Sequence, residues 1–112
     1  MKPPPNTKLY ETPISTHWFD EDGIMRAIYK RVERKIEHYG KVMELYSKFT
    51  SEGKKICLLS DATDSMPVNA EISDFLVAEM GKYIKAHAII SSAEFKRGLL
   101  SAVLKLNFVS FR

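Results

Sequence analysis

The stretch Gly53-Lys54-Lys55-Ile56-Cys57-Leu58-Leu59-Ser60-Asp61-Ala62-Thr63 decides the fold class. At its centre, residues 56–59 form an apolar run that is too brief for a helix and carries no alternation. Such a run reads as a strand buried on both faces, the kind found in parallel sheets. Upstream, residues 36–51 switch to helical spacing. Val42, Leu45, Tyr46 and Phe49 fall at i, i+3, i+4 and i+7, one apolar face, and Gly53 supplies a stop. Downstream, Asn69 can cap a second helix whose inner face is Ile72, Phe75, Leu76 and Met80. Residues 86–90 repeat the buried-strand pattern.

Further out, residues 14–19 are β-branched and aromatic, Asp20-Glu21-Asp22-Gly23 carries an Asp-Gly turn signal, and residues 24–30 alternate. Together they predict a β-hairpin that opens the domain. Trp18 and Phe19 must then lie on opposite faces, so one of them falls outside the main core. At the other end, Ser91-Ser92-Ala93-Glu94 matches a capping box, and Leu99, Leu100, Val103 and Leu104 give a third helix its stripe. Gly98 within that pattern implies close packing, and Val109-Ser110-Phe111 can begin a last strand. The predicted order is β-β-α-β-α-β-α-(β). Strand–helix alternation after a hairpin predicts an α/β fold: a mixed sheet with parallel β-α-β units joined by right-handed crossovers. Its three helices would cover mainly one face, or divide between both.

Length and composition bound the rest. A chain of 112 residues, 45% apolar and 28% charged, has room for one domain and one core. Residues 1–9, with Pro3, Pro4 and Pro5, read as a flexible arm, and residues 10–112 as a single domain. Cys57 is the sole cysteine, so no intrachain disulfide forms, and its apolar neighbours suit a small buried hydrophobe. No signal peptide and no membrane-length apolar run is visible, which predicts a cytoplasmic protein. The net charge of +3 centres on Lys30, Arg31, Arg34 and Lys35. Glu33 and Glu37 interrupt this cluster, so a solvated helix start competes with a nucleic-acid patch, and nucleic acid is the lesser expectation.

With these elements placed, the chain resembles the STAS-like (SpoIIAA-like) fold, shared by anti-sigma-factor antagonists and the cytoplasmic tails of sulfate transporters. It is more similar still to small STAS/SEC14-like proteins of Bacteroidetes. The resemblance is carried by Trp18 before Asp20-Glu21-Asp22-Gly23-Ile24, by residues 53–63 quoted above, by Pro67 and Glu79-Met80, and by Lys85-Ala86-His87-Ala88-Ile89-Ile90-Ser91. It runs from Tyr10 to Leu106. It implies a regulatory or scaffolding domain that acts through protein contacts rather than an enzyme, and an exposed C-terminal edge adds the expectation of a homodimer. Its SEC14-like side implies, as the alternative, a small apolar ligand or lipid. Anti-sigma-factor antagonists carry an Asp-Ser-Ser-Gly-like motif with a phosphorylated serine. Here that region is Asp61-Ala62-Thr63-Asp64-Ser65-Met66-Pro67, a fragment of the motif. The resemblance also implies a further strand and a terminal acidic helix. Measured against it, residues 10–112 are truncated, which would leave a sheet edge exposed.

The candidate contact or phosphorylation loop is therefore Asp61, Thr63, Asp64 and Ser65, just past a presumed parallel strand, where open α/β sheets bind ligands. Turn formation and helix capping explain the same residues, and two carboxylates with hydroxyls also suit a hard cation. Trp18 is a candidate contact anchor, with packing against the arm as the equal alternative. His17, His38 and His87 have no metal-ligand spacing, no phosphate-cradling glycine loop exists, and no nucleophile stands beside a base in sequence. Neither a cofactor nor a metal is expected.

Overall fold

The structure, a computed structural model, describes residues 1–63 and 68–91. The strands are β1 (Tyr10–Glu11), β2 (Ser15–Phe19), β3 (Met25–Tyr29), β4 (Ile56–Ala62) and β5 (Ile84–Ser91). The helices are α1 (Ile36–Lys48) and α2 (Ala70–Glu79). They build an α/β domain around a five-stranded mixed sheet in the order β1-β2-β3-β4-β5. The first three strands pair antiparallel, and β3-β4 and β4-β5 pair parallel, as strand–helix alternation requires.

The hairpin forms where the alternation predicts it. Its loop is longer than an Asp-Gly pair alone would need: Phe19 pairs with Met25 across residues 20–24. Asp20 organises that loop. Its carboxylate accepts N–H bonds from Asp22 (2.8 Å) and Ile24 (3.0 Å), while Gly23 takes φ +76, which a residue without Cβ adopts at little cost. Two-residue β1 carries too little pattern to be seen in sequence. It is held by register with β2 and by Tyr10, whose ring meets Phe49 edge-on at 5.1 Å; Phe49 in turn meets Phe19 at 4.9 Å.

The end of α1 corrects the expected glycine stop. The helix ends at Lys48, and Gly53 closes a separate 3-10 turn (Ser51–Gly53) in which Glu52 also takes a positive φ of 60°. At the other end, the Lys35 N–H donates to Nδ1 of His38, so this histidine seals a helix start. Asn69 caps α2 as expected, its Oδ1 accepting from the Ile72 N–H at 2.8 Å. Strands β4 and β5 both outrun their apolar runs, because Ser60, Asp61 and Ala62 continue the ladder. Ser91, expected to cap the third helix, is the last residue of β5; the rest of that capping box, the third helix and the last strand lie outside the described residues.

Both described helices lie on one face of the sheet. Tyr39, Val42, Met43 and Tyr46 of α1 and Ile72 and Leu76 of α2 share one core with Met25, Ala27, Leu58 and Ile84. Two consecutive right-handed crossovers in one direction place their helices on one side. The pairings give two helix-facing rows, Phe19-Met25-Leu58-His87 and His17-Ala27-Ser60-Ile89. The opposite face carries Trp18-Arg26-Leu59-Ala88 and Thr16-Ile28-Asp61-Ile90. Trp18 is thus the residue left out of the main core, and Phe19 packs against it.

Candidate functional site

Asp61 sits near the carboxyl end of β4, on the face away from the helices. Its Oδ1 accepts the Thr63 N–H at 3.1 Å, and its Oδ2 lies 3.4 Å from the amino group of Met1. Burial pushes the carboxyl up, but bonds from the Thr63 hydroxyl and N–H and the ammonium together hold it below the usual aspartate range. Thr63 is exposed beside it. Asp64 and Ser65, the other half of the candidate loop, lie outside the described residues. Among the described residues, no group of three or more His, Cys, Asp or Glu side chains could hold a metal ion.

Trp18 is only 1% exposed. It lines a groove of about 430 Å³ with Met1, Lys2, Pro4 and Thr7 of the arm and Asp20, Glu21, Asp22 and Arg26 of the hairpin. Met1 spans the face, since its sulfur also receives Nη1 of Arg26 at 3.6 Å. Arg26 pairs through Nε with Asp20 at 3.0 Å. Burial raises the Asp20 carboxyl, while bonds from Ile24, Arg26 and Asp22 bring it down below its ordinary value. The arm and Trp18, whose packing together was one of the two expectations for this residue, thus share one surface with Asp61.

The basic cluster does not form one face. Lys30 pairs with Glu11 at 3.1 Å. Arg34 is 8% exposed, turned inward over the rings of Tyr29 (4.9 Å) and Tyr39 (5.8 Å), and it donates to the Tyr39 hydroxyl and to the Lys30 carbonyl. Lys35 stands at the head of α1. A phosphate-tracking stripe needs its cations side by side on the surface.

The core holds two serine–histidine pairs, which are not among the candidate site residues. Ser60 Oγ and His87 Nε2 share a hydrogen bond of 2.8 Å, and Ser15 Oγ and His17 Nε2 share one of 2.7 Å, with Thr12 Oγ1 extending the second pair. Ser15 and His17, two residues apart on β2, were legible as same-face neighbours. His87 was not, because a register shift at Ile56/Cys57 turns it to the side of Leu58 and Ser60. Burial pushes both imidazoles down to about 4 (Glu11 opposes this slightly at His17), so both rings are neutral at neutral pH. Such rings are weak bases, far from the value near 7 that serves general-base catalysis. Burial likewise raises Tyr39 to about 12 and Tyr46 well above the ordinary phenol value.

A cavity of about 20 Å³ opens beside Ser60 and His87, lined also by Tyr29, Arg34, Tyr39 and Met80. That volume admits about one water molecule, not a substrate. Among the described residues, both hydroxyl–imidazole pairs are thus buried, and the space beside Ser60 and His87 is about that of one water molecule. No helix among the described residues is long and apolar enough to cross a membrane. No family model, curated protein or solved structure matches the chain.

Proposed function

We propose that this chain is a non-enzymatic, regulatory contact domain of STAS-like type, with Asp61, Thr63, Asp64 and Ser65 as the loop through which it is switched. The observation that carries the proposal is the division of polar groups. The hydroxyl–imidazole pairs that could do chemistry are sealed in the core beside a cavity of about 20 Å³. The groups that reach solvent at the carboxyl end of β4 are Asp61 and Thr63. The hairpin followed by two parallel β-α-β units fits the general α/β class. An apolar-ligand domain would instead need a pocket of ~300 Å³ or more between sheet and helices. A homodimer belongs to the same proposal, through the C-terminal sheet edge that the resemblance implies is exposed.

A phosphate on Thr63 would add a charge of about −2 within reach of the Asp61 carboxylate, and repulsion would reshape the loop or release a partner. Mass spectrometry of the protein isolated from its source cells across growth states tests the switch. A phosphate mapped to Thr63 or Ser65 supports it, and both residues unmodified in every state removes it. Light scattering at high concentration tests the dimer, which a strict monomer contradicts.

A further inference from the structure

The face that carries Trp18 is covered by the chain's own proline-rich arm. Met1, Lys2, Pro4 and Thr7 wall the same groove as Trp18, and Met1 reaches across to Arg26 and Asp61. We infer, on the footing of the contact domain proposed above, that this groove is a docking site for an extended proline-containing segment bearing a lysine or arginine, and that residues 1–8 fill part of it in cis as a strap.

Three observations carry the inference. The groove has an aromatic floor, Trp18, and an acidic rim, since Glu21 and Asp22 are exposed beside it while Asp20 is committed to Arg26. Aromatic floors suit proline segments, which arrive already extended and lose little entropy on docking, and a cation is drawn both to an indole face and to carboxylates. The segment lying there has that chemistry: Lys2-Pro3-Pro4-Pro5. Finally, the strap is lightly held. Residues 1–9 join no strand ladder, and the described polar ties of residues 1–8 to the sheet are three: the contacts of Met1 with Asp61 and with Arg26, and the Lys8 ammonium 5.3 Å above the Tyr10 ring at the arm's root. A segment with so few ties opens at low cost, and the remaining volume of about 430 Å³ is that of a ligand pocket.

Trp18 is the only tryptophan, so its emission reports this groove alone. In the full chain, a triple variant (Pro3→Gly, Pro4→Gly, Pro5→Gly) removes the preformed extension of the strap. The expected result is severalfold stronger acrylamide quenching of Trp18 with an unchanged far-UV spectrum. A synthetic peptide with the sequence of residues 1–8 should then restore protection. Versions with serine for proline, or glutamate for lysine, should restore it severalfold less well. Trp18 as protected in the variant as in the parent, no response to the peptide, or equal response to all three peptides overturns the inference. So does a dimer by light scattering that dissociates in the variant, which would mean that the arm docks on a second copy. Each failure leaves the phosphorylation proposal standing, because that is read by mass and not by Trp18.

Discussion

The two faces of one sheet are built differently, and β4 shows it within two residues. Leu58 points to α1 and α2 and is 1% exposed, in a core shared with Tyr46, Val42 and Ile84. Leu59 points the other way and is only half-buried, in a row with Trp18 and Arg26 that the arm covers in part. On the helix side, described cover is the two helices α1 and α2. On the other side, described cover is a proline-rich strap tied through Met1. Among the described residues, the apolar core is concentrated on the first face. The helix side also buries two imidazoles, which makes it the acid-sensitive half.

The sharpest way to break this comparison is acid. Burial lowers His17 and His87 from 6.5 to about 4. A depressed histidine contributes its full stability above the unfolded value of 6.5. That contribution falls as the pH drops below 6.5, because the unfolded state binds the proton first, and the loss levels off below about 4. The expected loss by pH 4 is about 3 kcal/mol for each ring, comparable together with the whole stability of a small domain. Urea unfolding across this range measures it, and His17→Gln should flatten the slope. Next in size, Leu58→Ala should cost about 2–5 kcal/mol, because it opens a cavity in a packed core. Leu59→Ala should cost about 1 kcal/mol, since that side chain is already partly exposed. Equal costs in urea unfolding would mean that the two faces are equally packed. Asn69→Ala, which removes the α2 cap, should lower the stability by about 1 kcal/mol in the same assay. The smallest effect is expected of Asp61→Asn: less than about 1 kcal/mol, as for weak ion pairs, but with Trp18 more open to a quencher.

Much of the helix-covered half was legible because its signals are periodic. Val42, Leu45 and Tyr46 mark α1, Asn69 and Ile72 mark α2, and the hairpin alternation needed no tertiary information. What was illegible depends on register and long-range closure. The shift at Ile56/Cys57 decides that His87 meets Ser60, and no local pattern announces such a shift. Gly53 drew the helix end to itself, although α1 stops at Lys48 and a separate turn uses the glycine. The inward turn of Arg34 onto Tyr29 and Tyr39 was hidden because a run of basic residues reads as surface. At the candidate loop, Asp61 was expected just past the strand, but it lies within β4, whose polar end extends the ladder beyond the apolar run, and its closure by residue 1, sixty positions away, could not be read from sequence.

The central claim is that the arm-covered face opens separately from the helix-covered core. The direct measurement is one urea titration followed simultaneously by Trp18 emission and by far-UV circular dichroism. The account predicts a red shift of Trp18 at lower urea than the loss of secondary structure, as the strap is released from a folded sheet. Two superimposable transitions would contradict it, because the strap and the core would then form one cooperative unit.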